Sequence, residues 1–208
     1  MRDKIISGVT AMEYSMIRQN FEKHGFSTQL FSSKEEASDY LVNTLQRQTI
    51  GFGGSATLKE MGLFEALQQD NAVVWHNKVP SRDVRRLANC ANIYITSANA
   101  VTESGEIVNI DATGNRVSMT AFGPETCYYI VGKNKITANL SDAIYRCKNV
   151  AAPKNAKRMN AKTPCAKNAD KCYDCNSPER ICRITTIIDR APMGMKCEII
   201  FIDQELGF

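Results

Sequence analysis

Apolar positions along the chain fall into short segments that alternate between two periods. Met12, Met16, Ile17 and Phe21 stand at helical spacing and predict a helix over 11–24, with Gly25 as its stop. Ser27 to Phe31 reads as a strand. Ser33 with Glu36 three residues on has the form of a capping box, opening a helix to about Gln46. Thr49 to Gly53 is a strand running into a glycine turn, and Thr57 with Glu60 predicts a capped helix to about Gln69. Further strands are expected at 72–76, 92–96 and 128–131, with helices capped by Ser81 and by Asn139 with Asp142. Glu106–Ile110 and Arg116–Thr120 read as a hairpin around 111–115.

Strands and helices at this short alternation imply an α/β fold: a mainly parallel sheet with helices on both faces. The strands are mostly continuous apolar runs, as burial on both faces requires. From Ala151 to Cys175 the periodicity is lost among basic, small and polar residues. The last apolar run, Cys197–Ile202, has the composition of a strand returning to the main sheet. One domain over 1–208 is therefore expected, with a basic, cysteine-rich insertion at 151–183 and a return to the sheet over 184–208.

Composition changes this picture in two places. Between Arg146 and Lys171 stand eight basic residues and one acid, Asp170, which makes that segment +7 within a chain of net charge +4. Such a stretch is either solvated surface or a flank for an anionic partner. It carries no aromatics between its cations, which argues against stacking on single-stranded nucleic acid. No apolar run is long enough to span a membrane, and Met1–Gly8 has no apolar signal core, so a cytoplasmic protein is expected. In that compartment its eight cysteines point to metal or redox chemistry before disulfides.

Four polar loops follow predicted strand ends, where open parallel sheets bind ligands. The first, Gly51-Phe52-Gly53-Gly54-Ser55-Ala56-Thr57, has a dinucleotide-type glycine pattern. The next strand ends Trp75-His76-Asn77 without the acid that holds a ribose, so NAD is not expected. The second, 97–105, holds Asn99 and one carboxylate, Glu103. The third, 109–116, holds Asp111, Asn115 and Arg116, an arginine suited to a carboxylate or phosphate. The fourth holds Asn134 and Lys135. One shared pocket is expected, with Gly53, Gly54, Ser55, Thr57, Asn99, Asp111, Asn115, Arg116, Asn134 and Lys135 binding an anion and Glu103 as the catalytic candidate. His24 is read as helix-terminal; His76, at a strand end, is the more interesting of the two histidines.

The ordered set GFGGSAT, TSANAVTESGEIVNIDATGNR, VGKNKI and AAPKNAKR resembles the LUD-domain family, which includes lactate-utilisation protein C, over about Met12 to Phe208. The resemblance implies a fold like the NagB/RpiA/CoA-transferase group and a role in oxidation of lactate or a similar organic acid alongside iron–sulfur proteins. Related CoA transferases use a glutamate in a Ser-Glu-Asn-Gly loop; Thr102-Glu103-Ser104-Gly105 matches only its Glu and Gly.

Cys165, Cys172, Cys175 and Cys182 form C-x6-C-x2-C-x6-C, a set able to close round one metal centre. A single C-x2-C knuckle and the family's redox setting favour [4Fe–4S]; a four-thiolate zinc site is the alternative. Ser177-Pro178-Glu179 predicts a short helix carrying Cys182. Cys90, Cys127, Cys147 and Cys197 read as core residues. Three functions stay open: a redox component of organic-acid utilisation with a small acid and an iron–sulfur partner protein, a CoA-ester or sugar-phosphate transferase or isomerase using Glu103, and a zinc-stabilised nucleic-acid-binding module.

Overall fold

A computed structural model describes residues 10–208; the reading of Met1–Gly8 lies outside them. Helix α1 (Ala11–Lys23) starts at Thr10, whose side chain and that of Glu13 cap each other's backbone N–H. Strand β1 (Ser27–Phe31), helix α2 (Lys34–Thr44) and strand β2 (Thr49–Phe52) follow as predicted. The next helix starts at Ser55, whose hydroxyl accepts from Leu58 N, and not at Thr57. Left-handed Gly62 divides it into α3 (Ala56–Glu60) and α4 (Leu63–Leu67). Then come β3 (Ala72–Trp75), α5 (Arg82–Ala88), β4 (Ile93–Ser97), β5 (Ala100–Thr102) and β6 (Ile107–Asp111).

The predicted hairpin is replaced by strand β6 and helix α6 (Asn115–Ala121). The Asp111 carboxylate accepts from the N–H groups of Arg116 and Val117. It thereby satisfies donors that a helix start leaves open, and this favours a helix over a returning strand. The chain continues through β7 (Thr126–Gly132), a 3-10 turn at Lys133–Lys135, β8 (Ile136–Thr137) and α7 (Leu140–Arg146).

Helical structure does not stop at Ala151. A π-helical stretch, Cys147–Ala151, carries α7 into α8 (Ala152–Arg158). Pro153 lacks the N–H that an α-helix would use at that position, and a wide turn just before it accommodates the loss. Helix α9 (Pro164–Asn168), an ordered irregular loop, β9 (Ile184–Ile188) and β10 (Lys196–Ile202) complete the fold. Residues 177–182 hold only a turn at Pro178-Glu179, and the predicted helix there is absent. Its backbone is held instead by Arg180, which donates to the carbonyls of Cys175 and Cys182.

The main sheet is six-stranded in the order β1-β10-β7-β4-β2-β3, and every pairing is parallel. The last strand thus lies inside the sheet, between β1 and β7, as its apolar composition predicts. A second, mixed sheet has the order β8-β5-β6-β9. It was not legible in the pattern, and it corrects the expectation that all of 184–208 returns to the main sheet: β9 pairs with β6 and only β10 joins the larger one.

Side-chain alternation divides the core. From β7 and β10, Tyr128, Ile130, Ile200 and Ile202 meet Leu41, Leu58 and Leu63 on one face. Tyr129, Val131, Ile199 and Phe201 meet Tyr14, Ile17 and Phe21 of α1 on the other, together with Val101 and Ile107 of the second sheet. That second sheet's opposite side, Ala100, Val108 and Ile110, packs on Ala143 and Cys147. Cys127, Cys147 and Cys197 are buried as expected, whereas Cys90 is exposed.

Candidate functional site

A cavity of about 640 Å³ opens where β2, β4 and β6 end, between the main sheet and the α7–α8 segment. Eight of the eleven predicted pocket residues line it: Gly54, Ser55, Thr57, Asn99, Asp111, Asn115, Arg116 and Lys135. Gly53 sits behind the wall. A Cβ there would stand 2.6 Å from Thr96 Oγ1 and 3.1 Å from Tyr94 Oη, so only glycine lets β2 turn at this depth. Asn134 also lies behind it, where its Oδ1 accepts from Leu206 N and holds the C-terminal residues in place.

Glu103 does not line the cavity. The segment read as one polar loop contains strand β5, with Asn99 at the cavity end and Glu103 at the other. Glu103 N donates to Thr137 O, and Glu103 O accepts from Asn20 Nδ2 on α1. A strand of three residues separates its ends by about 10 Å, so Glu103 is removed from this site as a catalytic group.

Several cavity residues stand outside the predicted set. Lys59 follows the glycine loop, Lys78 and Arg85 follow β3, and Arg158 comes from α8. With Arg116 and Lys135 they make six cationic side chains in the lining against one acidic side chain, Asp111, which is already engaged in capping α6. Ile181 of the cysteine loop also contributes. The insertion from 151 onward therefore forms a wall of the cavity. The signal for it was the basic run, which names Arg158 but not its direction.

Lys135 is the most perturbed of these groups. It is 3% exposed, and its Nζ donates to Thr57 Oγ1 and Ser97 Oγ, both at 2.6 Å. Those hydroxyls in turn donate to Leu206 O and Ile130 O. Among the described residues no ion pair involves Lys135. Burial, reinforced by the Arg146 and Arg116 charges, pushes its amine down to about 7.

Arg116 is 9% exposed, and its Nη2 donates to Asn99 Oδ1 at 3.0 Å and Ile110 O at 2.6 Å. Arg146, behind the lining, donates to the carbonyls of Asn134 and Asn99, and burial lowers its pKa. His76 is held below the usual imidazole range by burial and then by Arg85, with Asp111 opposing. Its Nδ1 is buried without a hydrogen-bond partner, and a Cβ on Gly54 would lie 3.2 Å from its Nε2. Trp75 Nε1 donates to Gly53 O at 3.1 Å, fixing the indole against the glycine turn.

The four clustered cysteines are all unpaired and half-buried, Cys165 on α9 and Cys172, Cys175 and Cys182 on the loop that follows it. Asp174 N donates to Cys172 Sγ at 3.3 Å, and Asp174 has φ +43°. Cys182 packs against the Ala100, Val108 and Ile110 cluster. Among the described residues no three His, Cys, Asp or Glu side chains converge closely enough to hold a metal ion. The donor chemistry suits a metal, but the side-chain positions do not form a closed site.

The family model described as LUD domain matches residues 14–202. The chain belongs to the LUD domain family. This LUD domain also resembles the crystal structure of a DUF162 family protein from Deinococcus radiodurans, with TM-score 0.55 at 12% identity over 94% of this chain and 99% of that one. At that identity the likeness concerns the fold alone. A similarity to ribose 5 phosphate isomerase A from Neisseria gonorrhoeae has TM-score 0.34 at 16% identity, covers 51% of this chain and 54% of that one, and carries no argument. No curated protein matches the chain. Among the described residues no helix is long and apolar enough to cross a membrane.

Proposed function

We propose that this LUD domain binds a small organic anion in the cavity, of the kind handled in lactate or related organic-acid utilisation. The observation that carries the reading is Lys135: a buried amine with no ion-pair partner among the described residues, in a lining of six cationic side chains and one acidic side chain that is already engaged. Buried cations are normally paired. An anion entering this cavity supplies the missing charge, with Arg116 and Lys135 at its base and Arg85 and Arg158 nearer the mouth. Asn99 and Asn115 add neutral donors for a hydroxyl or carboxylate oxygen.

Trp75, the only tryptophan of the chain, lines the cavity and reports on it. Titration of lactate, pyruvate and inorganic phosphate should change its emission saturably, with affinity falling as ionic strength rises. No response to any of the three, and no rise in Tm with them, overturns the reading.

A second reading concerns the cysteines. We infer that Cys165, Cys172, Cys175 and Cys182 close round a metal when one arrives, as [4Fe–4S] or, alternatively, zinc. The support is the donor set together with the Asp174 N–H directed at Cys172 Sγ, a contact of the kind that orients a sulfur ligand. An iron–sulfur centre there would supply the redox role that the family resemblance implies, with an electron-transfer partner protein. Metal analysis and the absorbance spectrum of anaerobically purified protein test it. Colourless protein with one zinc per chain selects zinc, and protein binding neither metal ends the reading.

A further inference from the structure

We propose that Lys135 forms an imine with the carbonyl carbon of a 2-oxo acid bound in the cavity. The inference rests on the anion-binding reading and deepens it by naming the substrate class and the atom that reacts.

The geometry suits a nucleophilic amine better than a permanent cation. Nζ has two hydrogen-bond partners, both hydroxyl oxygens, and both hydroxyls spend their own protons on backbone carbonyls. Two acceptors match the two N–H bonds of a neutral amine and leave its lone pair unoccupied. An ammonium would carry a third N–H with no partner among these groups. The charged groups facing Nζ come from three helices: Arg116 of α6, Arg146 of α7 and Glu60 of α3. Two cations against one carboxylate favour the uncharged amine. At pH 7 a lysine with an ordinary pKa is neutral in on the order of one molecule in a thousand. Lys135, brought down to about 7, is neutral in roughly half.

The substrate class follows from what surrounds the amine. Arg116 and the mouth cations hold a carboxylate, and a carbonyl adjacent to that carboxylate then lies at Nζ. The Nζ lone pair adds to the carbonyl carbon, forming the C–N bond. One amine proton passes to the former carbonyl oxygen, giving a carbinolamine. The hydroxyl leaves with the second amine proton as water, and the C=N bond is complete. No oxidant, reductant or metal enters the balance. Thr57 and Ser97 hold Nζ in position for the attack, and their hydroxyls can relay its two protons to the leaving oxygen.

The experiment is reductive trapping on the full chain. Protein is incubated with pyruvate and sodium cyanoborohydride, then digested and mapped by mass spectrometry. The expected result is one reduced adduct per chain on the peptide carrying Lys135. It should be suppressed by excess lactate, which has the carboxylate but no carbonyl, and absent from Lys135→Met. Initial labelling at Lys135 should rise as pH increases from 6 to 8 while surface lysines stay nearly unlabelled. Pyruvate that quenches Trp75 without any adduct at Lys135 overturns the imine and leaves anion binding intact. Adducts spread over surface lysines, with no enrichment at Lys135, overturn it equally. Neither quenching nor adduct overturns both readings.

Discussion

Replacing Lys135 by Met removes a buried charge while keeping a stem of similar length, and its effect on stability has a definite sign and pH window. Lys135 is 3% exposed, and burial lowers its pKa from 10.5 to about 7. In the unfolded chain the amine titrates near its ordinary value. Between about pH 7 and 10.5 the unfolded state therefore holds one more proton than the folded state, and stability must rise with pH across that window. Below about 7 both states carry the proton and the folded protein bears the whole cost of the buried charge. The slope is about 1.4 kcal/mol per pH unit, so the wild type should gain about 3 kcal/mol relative to the variant between pH 7.5 and 9.5. Over the full window the cost is on the order of 5 kcal/mol. At pH 6 the variant should be the more stable protein, by that amount less the two hydrogen bonds to Thr57 and Ser97, each about 1 kcal/mol. Urea unfolding of both proteins at fixed ionic strength, from pH 6 to 9.5, gives the comparison directly. Parallel pH profiles would show that Lys135 keeps an ordinary pKa, and the argument for an amine without a counter-charge would fall.

Gly53→Ala places a methyl 2.6 Å from Thr96 Oγ1 and should cost about 1–3 kcal/mol, read as a lowered urea midpoint. Glu103→Gln should leave anion-induced quenching of Trp75 unchanged, since Glu103 lies at the far end of β5; a loss of binding would restore it to the site. Arg116→Met should weaken pyruvate or phosphate binding by tenfold or more, as about 1.5–3 kcal/mol is typical of a hydrogen bond to a charged group, with circular dichroism confirming that the variant folds. Removal of residues 197–208 takes out a strand paired on both sides and should abolish cooperative unfolding.

Much of the framework is legible in the chain because its determinants are local. The helix caps at Ser33, Ser81 and Asn139 act within three residues, and the apolar runs at 49–52, 93–97 and 197–202 are what parallel strands buried on both faces need. The loops carrying Ser55, Asn99 and Lys135 follow β2, β4 and β7, and the parallel sheet brings such ends to one edge; the Arg116 loop follows β6 of the second sheet and joins them through packing. Eight of the residues named from the chain alone accordingly line one cavity. What the chain could not show is which end of a short element faces which neighbour. Strand β5 is only three residues long, and its weak pattern hides the turn that carries Glu103 away from Asn99. The second sheet is equally hidden, because β9 pairs with β6 across more than seventy intervening residues and exposes much of one side. The unpaired state of Lys135 is a tertiary fact as well. Nothing near it in sequence excludes a carboxylate; the packing of Thr57, Ser97 and the C-terminal residues around Nζ does. The burial that depresses its pKa comes from segments 78, 38 and 71 residues away, which meet only when the sheet closes.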